Sequence, residues 1–359
     1  MPMLTFEQKI SLSLPYKVDK RYPINEILFF DIETTGFSAD ISSIYLIGCL
    51  YYHNGMFHMT QWFADDYHSE KAILQSFFSK LSEFKYLIHY NGTGFDLPYI
   101  KRKCELLNLP AAFDQIVSID LMRVIKPYKE MLRLANLKQK TVEQFLQIAR
   151  KDQYNGGELI SVYGDYIKSK FKQLDTDSYL APLLLHNKED LIGMTMLTAL
   201  FHYSDIMEEE HTLLTKEATQ ETLRLTFLLS HSFESPLMVN DSSFELMVQK
   251  DQLTLTFPIY QGELKYFYPD YQNYYYLISE DEAIHKSVAE YVDISNRRKA
   301  KACNCYKRVS GSFLRQPPNV TAPVFYPDYK SKEAYLLMTE AFFKDEQVLT
   351  KYATSWLRR

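Results

Sequence analysis

The first two hundred residues predict an α/β protein, and the remainder predicts a smaller α+β domain. The apolar run from Ile27 to Phe30 is typical of a strand that is covered on both sides, as in the middle of an α/β sheet. Strand-like and helix-like segments then alternate up to about residue 204. Beyond residue 212 the pattern changes to short strand-like runs, which predicts a second structural unit.

Length and composition agree with two domains, because 359 residues with 46% apolar side chains can bury a sizeable core. We expect an N-terminal extension over residues 1–23, a first domain over 24–204 and a C-terminal domain over 212–359. The sequence shows no long apolar run and no N-terminal signal pattern, so we expect a cytoplasmic protein without a membrane partner. Four unevenly spaced cysteines predict reduced thiols, and Cys303-x-Cys305 lacks the second pair of a zinc site.

The first predicted strand ends in two acids, Asp31 and Glu33, that are two positions apart. Side chains alternate along a strand, so both carboxylates point to the same side. Two like charges at the end of a buried strand require a compensating cation, and Mg²⁺ prefers such oxygen ligands. The pattern therefore indicates metal-dependent phosphoryl chemistry, while a solvated turn is the alternative for an isolated Asp-x-Glu.

The elements that follow are predicted from turn residues and apolar periodicity. The dipeptide Asn54-Gly55 is typical of a tight hairpin turn between two strands. After the strand near Ile116 to Ile119, Asp120 is interpreted as a structural or capping acid, with metal contact as the alternative. The remaining elements of this region are strands over 45–51 and 56–63 and helices over about 69–82 and 98–108.

A second candidate acid, Asp96, lies where a strand and a glycine-containing turn lead into a helix. Pro98 suits the first turn of that helix, and Asp96 could cap its free backbone amides. The alternative is a functional acid near the end of the strand. The turn has neither the Rossmann glycine spacing nor a Walker lysine, so a nucleotide-binding loop is excluded.

A third candidate site lies in a long predicted helix from about Ser178 to Tyr203. His186 and Asp190 are four residues apart and therefore share one face of this helix. Most other residues on that face are apolar, so the carboxylate needs a partner in the core. A hydrogen-bonded core histidine is the alternative for His186 alone, and the nearby Asp190 favours a functional site.

Taken together, these segments resemble the DEDD exonuclease superfamily, whose ribonuclease H-like fold supplies four acids from three short motifs. Asp31 and Glu33 match the first motif, Asp96 the second and Asp190 the third. The strings around Asp96 and Asp190, with the string from Leu137 to Leu146, look most similar to the bacterial YprB-type ribonuclease H-like proteins. The resemblance covers about residues 24 to 203.

The resemblance implies a mixed sheet flanked by helices and two-metal hydrolysis of a phosphodiester with Mg²⁺ or Mn²⁺. Asp31 would bridge two divalent cations, Glu33 and Asp190 would complete one site, and Asp96 would act on the second ion. His186 would orient and deprotonate the attacking water, although it stands at the spacing where this superfamily has tyrosine. The implied substrate is a DNA or RNA end, cleaved from 3′ to 5′.

Candidate nucleic-acid contacts lie in both parts of the chain. Near the acids they are Thr34, Asn91 and Lys101. The net charge of −5 argues against a generic polyanion binder, so local basic clusters must supply contacts to phosphates. The best cluster is free of acids and comprises Arg297, Arg298, Lys299, Lys301, Lys307 and Arg308.

A tyrosine-rich segment over residues 266–276 precedes this basic cluster. Exposed aromatic rings beside cations can stack unpaired bases, and cross-strand packing is the more common alternative. Helices are expected near 281–291 and 331–343. Short strands are expected over 223–229, 244–248, 253–257, 264–267 and 274–278.

Three functions remain open for this sequence. The leading one is a metal-dependent 3′ to 5′ exonuclease. A non-catalytic nucleic-acid-binding or scaffold protein that retains the fold is the second, and an endonuclease with the same metal site is the third. The four acids disfavour the second, because a binding module gains nothing from carboxylates that repel phosphate.

Overall fold

The computed structural model describes residues 3–130, 132–152, 154–209, 211–317 and 320–357, without the side chains of 234–236. The chain divides into two compact units, one ending at Ser204 and the other beginning at Asp205. Within the described ranges, no helix is long and apolar enough to cross a membrane.

The N-terminal unit is built on one six-stranded mixed sheet. Its order is β1-β4-β3-β2-β5-β6. The pairs β1-β4, β4-β3 and β3-β2 are antiparallel, and the pairs β2-β5 and β5-β6 are parallel. The predicted α/β class and the expected mixed sheet are confirmed. The strands are β1 (Met3–Ile10), β2 (Ile27–Thr34), β3 (Ile44–His53), β4 (Met56–Ala64), β5 (Tyr86–His89) and β6 (Val117–Asp120).

Strand β1 lies in the segment that we expected to be an N-terminal extension. It pairs with β4 along its whole length, from Met3 opposite Ala64 to Ile10 opposite Phe57. From Leu4 to Ile10, half-buried side chains alternate with exposed ones, as expected for an edge strand with one face toward solvent. The sheet therefore begins before residue 24, where the first domain was expected to start.

Strand β2 lies inside this sheet, between β3 and β5. Its residues Ile27 to Phe30 are at most 1% exposed, because both faces of the sheet are covered there. The hairpin between β3 and β4 closes at Asn54 and Gly55, whose φ angles of 48° and 84° are the left-handed values that such a turn requires.

Seven helices of the described chain accompany this sheet. Helix α1 buries Ile73, Leu74, Phe77 and Leu81 on one face and packs against β3 and β4. The long helix predicted from Ser178 continues as α6, one 3₁₀ turn and α7. The helices are α1 (Glu70–Leu81), α2 (Asp96–Leu107), α3 (Leu121–Ile125), α4 (Gln139–Phe145), α5 (Gly156–Phe171), α6 (Asp177–Met196) and α7 (Leu200–Glu208).

The C-terminal unit contains a five-stranded antiparallel sheet of order β14-β13-β9-β8-β7 and a three-stranded sheet of order β11-β10-β12. Its strands are β7 (Thr212–Ala218), β8 (Thr222–Asn240), β9 (Glu245–Phe267), β10 (Tyr274–Leu277), β11 (Glu282–His285), β12 (Arg297–Lys299), β13 (Tyr306–Gln316) and β14 (Ala334–Leu337). Its described helices are α8 (Lys286–Ala289), α9 (Glu340–Lys344) and α10 (Glu346–Leu357).

Several element boundaries of this unit differ from the sequence-based expectations. The three strands expected between residues 244 and 267 form one strand, β9, because pairing with β8 and β13 supplies backbone partners across its polar interruptions. The helix expected over 331–343 was wrong for its first part, where β14 pairs with β13. The region 281–291, which was expected to be one helix, instead forms β11 and the four-residue helix α8.

Candidate active site

Three elements bring the four candidate acids of the N-terminal unit together. Asp31 and Glu33 lie on β2, Asp96 begins α2 directly after β5, and Asp190 lies on α6, which packs against β2 and β3. The four carboxylates form six pairs, and in each pair repulsion between the two charges raises the pKa of at least one of the two acids. The structure therefore clusters acids that are separated by up to about 160 positions in the chain.

Asp96 is tied to the strand that carries the first two acids. Burial is the main influence on its pKa, and the backbone N–H groups of Asp96 itself and of Ile32, which lies between Asp31 and Glu33, act in the opposite direction. Phe95 stands at the N-cap position of α2, so Asp96 is the first helical residue rather than the cap. The geometry thus favours the functional alternative for Asp96 over the capping one.

Asp120 has the structural role that the sequence analysis assigned to it. Its Oδ1 accepts hydrogen bonds from the backbone N–H groups of Met122 at 3.1 Å and Asn91 at 2.9 Å. Its Oδ2 accepts from the N–H of Thr93 at 3.3 Å. Asp120 therefore caps α3 and fixes the turn before α2, in which Asn91 has a left-handed φ of 59°.

His186 lies one helical turn before Asp190 and points into the acid cluster. Its Nε2 atom is 3.2 Å from Oδ2 of Asp190 and 3.7 Å from Oε1 of Glu33. Among the described residues, these three offer ligand atoms that all lie within 4.8 Å of one another. The spacing of four residues between His186 and Asp190 thus allows the imidazole to reach the same point as the acids.

Sequence reasoning missed Asn187, which supports the position of Asp31. Its Nδ2 donates to Oδ2 of Asp31 at 2.9 Å, and its Oδ1 accepts from Nε2 of Gln61 at 2.9 Å. Gly48 of β3 makes room for this contact, because a Cβ there would lie 2.0 Å from Oδ1 of Asn187. A glycine inside a strand was the available sign of such a close approach.

Sequence reasoning also missed Arg150 and Asp152, which lie between α4 and α5. The Arg150 Nη1 atom donates to Oδ1 of Asp190 at 2.7 Å and to Oε2 of Glu143 at 3.0 Å. The Asp152 Oδ2 atom is 2.7 Å from Nδ1 of His186. No spacing rule links these residues to α6, so only the fold could reveal them.

The carboxylates of the cluster are held in an environment that disfavours their charge. Burial raises the pKa values of Asp31 and Glu33 well above their ordinary range, and repulsion from Asp190 adds to this effect. Burial also raises the pKa of Asp96 to about 7, with Asp120 and Asp190 contributing. Clustered carboxylates are the ligands that hard divalent cations prefer, so the residues present fit such an ion.

We expect the pH dependence of stability to report this repulsion in metal-free protein. Asp96 has a pKa of about 7 in the folded chain and an ordinary value of 3.8, so the folded state binds more protons between these pH values. Its carboxyl group therefore destabilises the protein as pH rises from about 4 to 7. The Asp96→Asn variant should gain stability over the wild type across that window, by about 4 kcal/mol at most.

Chemical unfolding of both proteins in EDTA at several pH values measures this difference. A plateau in the difference is expected above pH 7, and added Mn²⁺ should stabilise the wild type more than Asp96→Asn. A difference that stays constant from pH 4 to 8 would contradict the electrostatic origin of the effect.

The candidate nucleic-acid contacts near the acids differ in their surroundings. The Thr34 hydroxyl donates to the Gly36 carbonyl at 2.9 Å. Lys101 is exposed on α2, whereas the neighbouring Lys103 is buried and lies 3.3 Å from a Glu70 carboxylate oxygen. Of these two lysines, Lys101 is therefore the one that is available to a ligand.

The members of the basic cluster in the C-terminal unit differ in exposure and in their neighbouring charges. Arg298 and Lys299 lie on β12 and pair with Tyr276 and Tyr275 of β10, and both cations are exposed. Arg308 is partly neutralised, since its guanidinium lies 3.6 Å from Glu263 and 3.8 Å from Glu282.

Other members of the cluster are engaged in aromatic and backbone contacts. Arg297 donates to the Ala289 carbonyl, and the Lys307 ammonium lies 5.7 Å from the centre of the Tyr266 ring. Lys301 is exposed. Tyr268 and Tyr274 stack on each other with ring centroids 4.3 Å apart, which supports packing rather than base stacking for these two rings.

A comparison with known protein families agrees with the observed sheet. A family model described as the RNase_H superfamily matches residues 28–201. No curated protein matches the chain. Among solved structures, the chain is similar to the family B DNA polymerase from the hyperthermophilic archaeon Pyrobaculum calidifontis, at 12% identity and a TM-score of 0.38. That match covers 71% of this chain and 35% of the polymerase, so the chain spans about a third of the polymerase's length.

The family match lies within the N-terminal unit that carries the four acids. Together with the mixed sheet and its flanking helices, it confirms the predicted ribonuclease H-like fold.

Proposed function

We propose that this ribonuclease H-like chain is a divalent-metal-dependent nuclease that hydrolyses phosphodiester bonds of DNA or RNA. The observation that carries the proposal is the cluster of four mutually repelling acids, with His186 directed at it. Among the described contacts, Arg150 pairs with Asp190 but no lysine or arginine pairs with Asp31, Glu33 or Asp96. The charge of these three acids requires a cation, and phosphate oxygens readily complete the coordination of Mg²⁺ or Mn²⁺.

The residues of the cluster have distinct roles in this proposal. Asp31, Glu33, Asp96 and Asp190 would hold two divalent cations. When bound, such ions stabilise the charge that develops on phosphate oxygens and help to activate water. His186 accepts the proton of the attacking water at Nε2, the ring nitrogen that faces Glu33 and Asp190.

The finer proposal is a DEDD-type exonuclease, similar to the YprB-type proteins, that degrades a single-stranded end from 3′ to 5′. Polarity and the number of ions follow the resemblance of the three motifs. Thr34, Asn91 and Lys101 are proposed to contact the strand near the acids. Arg298 and Lys299, beside the β10 tyrosines, are proposed to bind phosphates with the rest of the basic cluster. A cytoplasmic location stays a prediction.

A non-catalytic scaffold protein is the main alternative to an enzyme. It is disfavoured because repulsion within the cluster helps to raise the pKa values of Asp31, Glu33 and Asp96, and because the acids repel phosphate, which benefits neither folding nor binding. An endonuclease would use the same acids, and the difference between the two nucleases lies in whether a free end is required.

The test is cleavage of end-labelled single-stranded and duplex DNA and RNA by the full chain, with Mg²⁺, with Mn²⁺ or with EDTA. We expect product ladders from a 3′ end, no cleavage in EDTA and no cleavage of circular strands. An Arg298→Glu, Lys299→Glu variant should bind single strands several-fold more weakly. Cleaved circles would establish an endonuclease, and binding without cleavage under every metal condition would favour the scaffold.

A further inference from the structure

We propose that Asp152 is a positioning residue that holds His186 with its Nδ1 atom protonated and its Nε2 atom free to accept a proton. The inference rests on the proposed nuclease function and assigns a role to a segment that no sequence motif marks. Its basis is the geometry around the two nitrogens of one imidazole.

The two ring nitrogens of His186 face different groups. Nδ1 lies 2.7 Å from Oδ2 of Asp152, which is a hydrogen-bonding distance. Nε2 lies 3.2 Å from Oδ2 of Asp190 and 3.7 Å from Oε1 of Glu33, but among the described contacts only Nδ1 of the two ring nitrogens makes a hydrogen bond. The Asp152 and His186 side chains are only 1% and 7% exposed, so water competes little for their contact.

The chemistry of the partner determines where the imidazole proton resides. An ionised carboxylate can only accept hydrogen bonds, so the Nδ1 atom that contacts it must donate. A neutral imidazole carries one proton, and Nε2 is then left with a lone pair. That lone pair points to the acid cluster, where the attacking water would be bound.

The surroundings of Asp152 keep its carboxylate in place and charged. Nζ of Lys140 donates to Oδ2 at 3.2 Å, and Nη2 of Arg150 lies 3.6 Å from the same oxygen. The other oxygen, Oδ1, accepts from the backbone N–H of Tyr154 at 3.0 Å. One oxygen therefore fixes the loop while the other is directed at the imidazole.

Most of the anchoring of this loop is done by a different acid. Glu189 accepts hydrogen bonds from the backbone N–H groups of Lys151 and Asp152, at 2.9 Å and 2.7 Å. Loop anchoring therefore does not account for the Asp152 Oδ2 contact. Oδ2 also receives Lys140 Nζ at 3.2 Å, but its shortest contact is the one with His186 Nδ1 at 2.7 Å, so we assign it the orientation of the imidazole.

The first measurement is the protonation pattern of the His186 ring by ¹⁵N NMR of the Mg²⁺-loaded, substrate-free protein at pH 8.5, with the signal assigned through His186→Gln. We expect Nδ1 to be protonated and Nε2 to be bare. In Asp152→Asn the amide NH₂ group can donate to Nδ1, which moves the proton to Nε2. A wild-type spectrum with the proton on Nε2 overturns the proposal even if no variant folds.

The second measurement is the split between kcat and KM on a cleavable end-labelled strand. Asp152→Asn should lower kcat about 100-fold or more, as expected for lost general-base catalysis, while KM changes less than threefold. The matched control is Asp165→Asn, because Asp165 is exposed and pairs only with the exposed Lys168 among the described contacts. The control should leave both constants and the NMR pattern unchanged.

The two measurements separate this inference from the proposed function. A kcat within threefold of the wild type in folded Asp152→Asn overturns the positioning role. If the wild type cleaves no nucleic acid, the nuclease proposal fails, and the NMR pattern alone decides whether Asp152 sets the tautomer. A loss of Mn²⁺ binding in Asp152→Asn as large as the loss in kcat also overturns the inference, because the residue would then support the acids.

Discussion

Replacing Asp31 by Asn should abolish cleavage, with a rate at least about 10³-fold below that of the wild type. Asp31 is close enough to each of the other three acids for their charges to raise its pKa. An amide cannot supply the negative charge that holds a divalent ion between the acids. The measurement is product formation from end-labelled DNA and RNA with saturating Mn²⁺, beside Asp165→Asn as a matched exposed control.

The same substitution should stabilise the metal-free protein at pH 8. Burial and repulsion raise the pKa of Asp31, so its charged form costs folding free energy when no cation is bound. The amide keeps an oxygen that can accept from Asn187 Nδ2, so the local hydrogen bond survives. Unfolding in EDTA tests this gain. Cleavage that persists in Asp31→Asn would refute the assignment of the site.

Replacing Arg150 by Met should lower the free energy of unfolding by about 3–5 kcal/mol. The guanidinium is 10% exposed and lies 3.0 Å from an oxygen of Glu143, whose side chain is 1% exposed. Removal of the arginine leaves that carboxylate charged, buried and without its guanidinium partner. Methionine preserves much of the volume, so the loss reports the missing charge rather than a cavity.

A double-mutant cycle with Glu143→Gln provides the control for this effect. The Glu143→Gln, Arg150→Met protein should recover a large part of the lost stability, because the uncompensated buried charge is gone. Chemical unfolding at pH 7 measures all four proteins. Additive losses in the double variant would contradict a direct Arg150–Glu143 interaction as the source.

Arg150 also reveals how the acid cluster is connected to the rest of the fold. The guanidinium contacts Asp190 as well as Glu143 and Asp152, so it links α4, the loop before α5 and α6. Helix α4 and the loop are consecutive in the chain, whereas Asp190 on α6 lies 40 positions beyond Arg150. Because the three segments meet in the fold, the single guanidinium of Arg150 can contact both Asp190 and Asp152, the partner of His186.

The sequence predicted much of the N-terminal unit because its signals are local. The Asn54-Gly55 turn, the apolar run before Asp31 and the helical spacing of His186 and Asp190 each depend on a few neighbouring residues. The edge strand β1 was not predicted because the polar run Glu7-Gln8-Lys9 interrupts the alternation of apolar side chains, and because its partner strand β4 is distant in the chain. Strand β9 was divided too finely for the same reason, since its polar interruptions are bridged by partners far along the chain.

The sequence by itself determined the ribonuclease H-like fold and led to the proposal of a metal site, because two acids at the end of a buried strand and a His–Asp pair on a helix need a compensating partner. Only the tertiary structure decided how the site is supported, through Asn187 on Asp31, Arg150 on Asp190 and Asp152 on His186. These contacts join residues about 30 to 160 positions apart. Such pairs are set by how the helices pack on the sheet, which no local spacing encodes.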